Sequence, residues 1–274
     1  MLFRSCIPAY RSEAYIATCI QSVLDQTFTD FELIIIDDAS PDRTYDVIRG
    51  FTDPRVRASQ QSTNVGPSAN WNAVLAAATG RYIKLLPGDD TLHPTCLARQ
   101  VAALEHAEHE DVVLVCGRRD VIDASGRRVL TAGPTREGRI GGSAMMRRTI
   151  RRGTNIIGEP GAVLFRASAA HAVGGFNGAR GYVIDLEYWS RLLLHGAAYV
   201  VAEPVCTFRL SGYNWTAALS AVRRQHFLAL IDQMTATSNV LSPVDRVLGR
   251  VMATVNEGLR RLVHWWVVGW ANRR

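Results

Sequence analysis

The sequence predicts an α/β fold with a mostly parallel central sheet, flanking helices and a helical extension at the C-terminus. Short apolar runs alternate with amphipathic helical patterns through the first ~90 residues, which is typical of parallel sheets. A hydrophobic fraction of 47% supplies a large core, and 20% charged residues argue against general disorder. From about Ala217 onward the patterns are helical only. We therefore expect a main domain over residues 1–212, with halves at 1–110 and 111–212, and an extension over 213–274.

In the first half, each of four apolar runs of strand length is followed by a helical pattern. The predicted strands are Leu2–Ile7, Phe31–Ile36, Val56–Ser59 and Tyr82–Leu86, and the helices are Glu13–Gln26, Thr44–Gly50, Ala69–Ala78 and Thr95–Ala107. Ser68 is placed to cap the third helix, and Gly80 to end it as a C′ glycine.

The second half has fewer clear periods. We predict a strand at Val112–Cys116 that forms a hairpin with Arg128–Leu130, and then strands Ala162–Arg166 and Tyr199–Val201 with helices Ala167–Val173 and Leu186–His195. Between Gly133 and Gly153 the pattern dissolves into glycine and arginine. A solvated, mobile surface segment and a lid that meets a phosphate or a lipid headgroup both explain this stretch.

Composition narrows the cellular setting. The formal charge of +6 suits anionic partners such as nucleotides, phospholipid surfaces or nucleic acid. Five scattered cysteines without a CxxC pair indicate neither a disulfide framework nor a zinc knuckle. No apolar run reaches the ~18 residues of a membrane span, and the N-terminus lacks a signal-peptide layout. The expectation is a cytoplasmic enzyme, with peripheral contact at a membrane left open.

Carboxylates follow two of the predicted strands. Asp37 and Asp38 come after the second strand, and Asp89 and Asp90 after the fourth. Ligands in open α/β sheets bind outside the carboxyl ends of strands, and acids together with substrate phosphates are the usual ligands of Mg²⁺. A solvated Gly-Asp turn with a helix cap explains the second pair equally well. A third acid, Asp185, follows a glycine-rich run, where an N-cap is the simpler explanation.

The order of these motifs resembles family 2 glycosyltransferases, which have the GT-A fold, over about residues 3–210. Pro8-Ala9-Tyr10 and the Asp37–Asp42 stretch match the start of the family pattern, and Asn64-Val65-Gly66 with Asn72 matches its next block. Pro87-Gly88-Asp89-Asp90 stands where the family has its DxD-type motif, and Asp185 with the residues after it stands at the catalytic base.

The resemblance implies an inverting transfer of a sugar from a nucleoside-diphosphate sugar to a hydroxyl of a glycan or lipid-linked acceptor, as in bacterial cell-surface polysaccharide synthesis. It implies a divalent metal, Mg²⁺ or Mn²⁺, on Asp90 and a general base at Asp185 with an ordinary Asp pKa of ~3.9. No nucleic-acid partner is implied. The substrate-binding residues that the resemblance implies are Pro8, Ala9, Tyr10, Asp37, Asp38, Asn72, Asp89 and Arg209. Trp189 is added as a candidate to stack on a sugar ring, with packing in the core as the alternative.

The sequence also departs from the family pattern. The metal motif reads Leu86-Pro87-Gly88-Asp89-Asp90 and lacks the upstream acid of the family's usual Asp-x-Asp-Asp. Ile184 replaces a carboxylate before Asp185, and Arg209 lacks the histidine that often follows it. Glu187 is the rival base. A degenerate member that binds nucleotide sugar or membrane without turnover therefore stays as an alternative. A nucleotidyltransferase is disfavoured because the glycine- and lysine-rich phosphate loop is absent.

The end of the chain is rich in tryptophan. Leu259–Trp270 carries three tryptophans among aliphatic residues and is flanked by arginines. Such a segment suits a membrane interface. Packing on the main domain, or on a second subunit in a homodimer, is the alternative.

Overall fold

The computed structural model describes residues 3–210 and 219–271, with the side chains of residues 107, 220 and 261–271 left out. Its centre is a nine-stranded sheet of order β3-β2-β1-β4-β8-β5-β9-β7, in which β6 pairs with β5. The strands are β1 (Phe3–Ala9), β2 (Phe31–Asp37), β3 (Val56–Gln60), β4 (Tyr82–Leu85), β5 (Val112–Asp123), β6 (Arg128–Ala132), β7 (Gly138–Gly141), β8 (Val163–Arg166) and β9 (Ala197–Leu210).

Nine α-helices are present among the described residues. They are α1 (Ile16–Leu24), α2 (Thr44–Arg49), α3 (Pro67–Ala77), α4 (Cys96–Glu105), α5 (Gly142–Arg152), α6 (Ala167–Val173), α7 (Ile184–Leu192), α8 (Arg223–Thr237) and α9 (Pro243–Ala271). Short 3₁₀ helices occupy 107–109, 160–162, 178–183 and 220–222.

Most strands of the described sheet run in one direction. β3, β2, β1 and β4 are mutually parallel, β8 runs against β4 and β5, and β9 runs parallel to β5. The direction reverses only at β6, β7 and β8 among the described strands. The predicted mostly parallel sheet is thus confirmed. The reversal at β8 has a consequence for the site, because it brings the start of β8 beside the end of β4.

Alternation along the strands divides the core into two layers. In β2, Leu33 and Ile35 pack with α1 and α4 on one face of the sheet, whereas Ile34 packs with α3 and α7 on the other. Successive side chains of a strand point to opposite faces, so a run that is apolar at every position must be covered on both. This is why these runs read as continuous hydrophobic stretches rather than alternating ones.

The glycine- and arginine-rich stretch contains regular structure that its sequence pattern did not indicate. It forms β7 and α5, and α5 buries an apolar face that includes Met145, Met146 and Ile150. The sequence did not predict α5 because the helix begins at two consecutive glycines, Gly141 and Gly142, which disfavour a helix. A Cβ on Gly142 would lie 2.0 Å from the Leu193 carbonyl oxygen, so the close approach requires glycine where a good helix former is expected.

Two predicted caps on α3 are also wrong. The helix begins at Pro67 after Gly66, whose φ of 86° suits glycine, and Ser68 lies inside the first turn. Gly80 is not a left-handed C′ residue. It lies against β1, where an added Cβ would be 3.2 Å from the Phe3 carbonyl carbon. Gly80 is therefore explained by close packing on β1, and Ser68 by neither of the predicted caps.

The described part of the C-terminal extension packs on the main domain. Phe227, Ile231 and Ala253 belong to the same hydrophobic cluster as Ile150 of α5. Arg151 pairs with the buried Asp245 of α9. None of the described helices has the length and apolar character needed to cross a bilayer. The predicted interfacial segment Leu259–Trp270 falls almost wholly outside the described side chains.

Candidate active site

Two buried carboxylates stand at the end of β2. Asp38 accepts hydrogen bonds from the backbone N–H of Val65 at 2.8 Å and of Gly66 at 2.9 Å. Asp37 accepts one from Nε2 of Gln60 at 2.9 Å. These bonds fasten the loop before α3 to the rim of the sheet. The pair thereby fixes the shape of this edge of the sheet. Its predicted contact with a nucleotide stays a prediction.

The end of β1 lies beside these acids. Pro8 and Ala9 are in register with the last residues of β2, and the Ala9 carbonyl accepts the N–H of Asp38 at 2.9 Å. Tyr10 is 41% exposed at the rim, and the Arg11 guanidinium lies 5.3 Å from its ring centre. An exposed aromatic ring next to a fixed cation can stack on a planar base while the arginine meets a phosphate.

Asp89 and Asp90 follow β4 and face the end of β9. The Asp90 carboxyl accepts the backbone N–H of Arg209 at 2.8 Å, and Nε of Arg209 donates to the Asp89 carbonyl oxygen at 3.0 Å. Burial, and then the charge of Asp89, raise the pKa of Asp90 well above its usual range. Burial also raises the pKa of Asp89, against the opposing charge of Arg209. A carboxyl with its pKa raised in this way becomes easier to ionise when a cation binds beside it.

The side chains around Asp90 fit a metal that takes most of its ligands from a substrate. No group of three or more acidic, histidine or cysteine side chains capable of holding an ion occurs among the described residues. The pair can therefore offer one or two carboxylates. Mg²⁺ is usually held by one or two carboxylates together with substrate phosphates. The number of carboxylates that Asp89 and Asp90 can offer agrees with this.

Asp185 lies in the first turn of α7 with its carboxyl held from two sides. Asn155 Nδ2 donates to it at 2.9 Å, and the Leu186 N–H donates at 2.7 Å. Burial and then the charge of Glu159 raise the pKa of Asp185 to about 7. This differs from the ordinary value expected from the sequence, because local composition does not reveal desolvation. The N-cap of α7 is Val183, so capping does not explain Asp185.

Glu159 is a site residue that the sequence did not point out. Nη2 of Arg119, on β5, donates to the Glu159 carboxylate at 3.1 Å, and the two form an ion pair of which the arginine is almost fully buried. Glu159 raises the pKa of both Asp90 and Asp185. It stands just before β8, so the reversed direction of that strand brings it to the rim. The Gly158-Glu159-Pro160 turn was the available signal, but it is informative only once that direction is known.

Glu187, the rival base, lies on another face of α7. It is buried, pairs with Arg191 at 3.0 Å, and accepts a hydrogen bond from Gln233 of α8 at 2.9 Å. Its carboxylate therefore joins α7 to the C-terminal extension, whereas that of Asp185 lies at the cleft described below.

Trp189 has no exposed surface, so its assignment to sugar stacking is corrected to a packing role. It contacts Phe165 and Phe176 within an aromatic cluster. Its Nε1 donates to the Gly158 carbonyl at 3.1 Å, next to Glu159. The indole thus supports the loop that carries the acid.

Asn72 holds the segment before α7. Its Nδ2 donates to the Phe176 carbonyl at 2.9 Å, and its Oδ1 accepts the Phe176 N–H at 2.7 Å. Both ends of the amide are therefore engaged with backbone. Its predicted substrate contact remains a prediction.

A cleft of about 370 Å³ opens in front of Asp185. Its walls come from β5, α7, β9 and the C-terminal extension, and they combine carboxylates, arginines and aromatic rings. The lining includes Arg119, Asn155, Glu159, Tyr182, Asp185, Phe208, Arg223, Arg224, Phe227, Glu257 and Arg260. A polar molecule can therefore reach Asp185 through an opening whose walls carry both arginines and carboxylates.

Solved structures share this fold at low sequence identity. The structure of residues 1–349 of TarS from Staphylococcus aureus in complex with UDP-GlcNAc aligns with a TM-score of 0.71 and 17% identity, over 93% of this chain and 72% of that one. A mannosyltransferase from Pyrobaculum calidifontis, in complex with GDP-Man and Mn²⁺, aligns with a TM-score of 0.65 and 16% identity, over 91% of this chain and 68% of that one.

Proteins related in sequence identify the family of this chain. The putative glycosyltransferase EpsE of Bacillus subtilis is 32% identical over 78% of this chain and 70% of its own length. An uncharacterised protein of Mycobacterium tuberculosis, MT1568, is 28% identical over 98% of this chain and 82% of its own. The model of the glycosyl transferase family 2 matches residues 5–172, more than half of the chain. On this match, and with acids at the strand ends of a GT-A fold, the chain belongs to glycosyltransferase family 2.

Proposed function

We propose that this glycosyltransferase moves a sugar, with inversion, from a nucleoside-diphosphate sugar to a hydroxyl of a glycan or lipid-linked acceptor in bacterial cell-surface polysaccharide synthesis. The observation that carries the proposal is Asp185. Its carboxyl is held by Asn155 at the cleft, and burial tunes its pKa to about 7. A general base works best with a pKa near the working pH.

The donor would bind along the rim formed by β1, β2 and β4. Pro8, Ala9 and Tyr10 would flank the base, with Asp37 and Asp38 below it. A carboxylate at such a rim can accept hydrogen bonds from ribose hydroxyls. Asp89 would meet ribose or sugar, and Arg209 would balance the charge of the diphosphate from its position beside Asp89, where its Nε donates to the Asp89 carbonyl oxygen.

Asp90 would hold a divalent metal, Mg²⁺ or Mn²⁺. When bound, such an ion neutralises the negative charge of the diphosphate leaving group. The chain's own part is to present a carboxylate whose burial and like-charged neighbour favour a bound cation.

Asp185 would receive the proton of the acceptor hydroxyl. As that oxygen forms its bond to the anomeric carbon, the bond from this carbon to the diphosphate breaks, and the nucleoside diphosphate leaves with the electron pair. Attack from the face opposite the leaving group inverts the configuration. Asn155 fixes the carboxyl for this transfer because its own Oδ1 is held by two backbone N–H groups.

The test is a panel of UDP-, GDP- and dTDP-sugars with Mn²⁺, in which release of nucleotide is followed. We expect Asp185→Asn to lower turnover by at least ~10²-fold, since a positioned base contributes ~10²–10⁴-fold. Glu187→Gln is the matched control and should keep turnover in the folded fraction, although its loss weakens the contact with α8. EDTA should abolish release.

Two other outcomes would overturn parts of the proposal. Full activity of Asp185→Asn with loss in Glu187→Gln would transfer the role of base to Glu187. Nucleotide binding without release from any donor, with or without acceptor, would establish the degenerate alternative instead.

A further inference from the structure

The outer face of α9 carries a stripe of exposed apolar side chains. Half of the exposed large hydrophobic residues in the described part of the chain lie on this one helix, so they do not form the usual scatter. They recur every three or four residues, which places them on one face over roughly 22 Å. The stripe comprises Val244, Val247, Leu248, Val251, Val255 and Leu259, which are 42–61% exposed.

The opposite face of α9 is the one that packs on the protein. Gly249 lies against Ile150 of α5 and Ile231 of α8, and Ala253 is buried in the same cluster. The helix is therefore already docked by one side. Its exposed stripe has no cover among the described residues. In the sequence, the same spacing continues at Leu262, Trp265 and Trp266, whose side chains lie outside the described part.

An arginine face lies beside the stripe, on α5. The two helices are joined by the Arg151–Asp245 ion pair and by a 2.8 Å hydrogen bond from Asn256 to the Arg152 carbonyl. The outer face of α5 forms an open concavity of about 430 Å³, lined by Arg147, Arg148, Arg151, Arg152 and Ala144. Within the described residues, Arg147 and Arg148 form no ion pair.

We propose that the α9 stripe and the α5 arginine face together dock on an anionic phospholipid bilayer. Apolar side chains next to cations match an interface in which acyl chains lie below negative headgroups. A second copy of the chain is the weaker occupant, because the arginine face of α5 beside the stripe suits a partner that is anionic as well as apolar. The contact lies on the bilayer surface, because one face of α9 carries the stripe while the opposite face packs on the protein.

This docking places the cleft at the membrane. Leu259 belongs to the stripe, whereas Glu257 and Arg260 of the same helical turn line the cleft in front of Asp185. The cleft therefore opens close to the bilayer surface. If the proposed function holds, the acceptor hydroxyl is carried by a lipid.

Co-sedimentation of the full chain with vesicles tests the docking. We expect binding to vesicles of phosphatidylcholine with phosphatidylglycerol, and little to phosphatidylcholine alone. Val247→Asp with Val251→Asp should reduce binding by about tenfold or more, because it removes two apolar contacts and adds repelling charges. Arg147→Gln should reduce it about fivefold, the effect of one basic residue near an anionic surface.

The matched control is Val129→Asp with Leu130→Asp, a similarly exposed apolar pair on β6, which should bind like the native protein. Circular dichroism checks that each variant is folded. Equal binding by the stripe variant, or a dimer in light scattering that this variant dissociates without any vesicle binding, would overturn the proposal.

The same variants separate this inference from the proposed function. The stripe variant should release nucleotide from a donor in solution as the native protein does, whereas Asp185→Asn should lose release and still bind vesicles. Vesicle binding with no turnover of any donor would leave the docking intact and overturn the proposed function only.

Discussion

At the scale of single residues, the site is controlled by which carboxyls are desolvated and which are paired. Asp185 and Glu187 lie two positions apart on α7, yet Asp185 has a raised pKa at the cleft, while Glu187 is paired with Arg191. The difference comes from the face of the helix that each side chain occupies. Residue type alone made them equivalent candidates.

The raised pKa of Asp185 predicts a pH dependence. A base must be unprotonated to accept a proton, so kcat/KM should rise with pH and level off above a midpoint near 7. In Glu159→Gln this midpoint should move down by roughly 0.5–1 unit, because a nearby negative charge is lost and Arg119 remains. The measurement is the pH profile of kcat/KM for nucleotide release.

Glu203→Gln provides the control, since Glu203 lies away from the cleft and pairs with Arg99. Its midpoint should equal that of the native protein. A native midpoint near 4, or one that Glu159→Gln does not move, would show that another group controls the profile.

At the scale of elements, α9 approaches its neighbours so closely that one position requires glycine. A Cβ on Gly249 would lie 2.7 Å from Ile150 Cγ2 and 2.9 Å from the Ile150 carbonyl oxygen. Gly258, on the same helix, has no described atom within 4 Å of the position of a Cβ. A comparison of substitutions at the two glycines can therefore distinguish the effect of packing from that of helix propensity.

Alanine at these positions should have opposite effects. Gly249→Ala gains ~1 kcal/mol of helix propensity but forces α9 away from α5 at a cost of about 1–3 kcal/mol, so the free energy of unfolding should fall by about 1 kcal/mol. Gly258→Ala should raise it by about 0.5–1 kcal/mol. Urea denaturation followed by circular dichroism measures both. Stabilisation by Gly249→Ala would mean that α9 is not tightly packed on α5.

At the scale of the whole molecule, the extension and the main domain share one hydrophobic cluster. Phe227 and Ile231 of α8 and Ala253 of α9 belong to it together with Trp189 and Ile150. A shared core argues that these parts unfold together. The predicted boundary near residue 212 would then separate stretches of sequence rather than independent folding units.

Thermal unfolding tests this cooperativity. We expect far-UV circular dichroism and tryptophan fluorescence to give one coincident transition. Ile231→Ala should lower the free energy of unfolding by about 2–4 kcal/mol, and so shift both transitions to lower temperature together, because a fully buried side chain is lost. Val129→Ala, at an exposed position of β6, should change the free energy of unfolding by less than ~0.5 kcal/mol. Two separate transitions, of which Ile231→Ala moves only one, would show an independent extension.

Much of the fold could be predicted because its signals are local. The runs that became β1, β2 and β4 are mostly apolar, and the acids Asp38 and Asp90 follow two of them, so both the strands and the acidic strand ends were visible in the sequence. Helix α5 was missed since its flanking glycines serve contacts that only the packed structure contains.

The sequence by itself determined the alternation of strands and helices, the family pattern and the presence of acids at strand ends, because hydrophobic periodicity and turn residues act within a few positions. Only the tertiary structure decided that β8 runs backwards and brings Glu159 to Asp185, that Trp189 is buried, and that α9 leaves an apolar face exposed. These features depend on strand direction, desolvation and the packing of distant segments, and no local pattern encodes them.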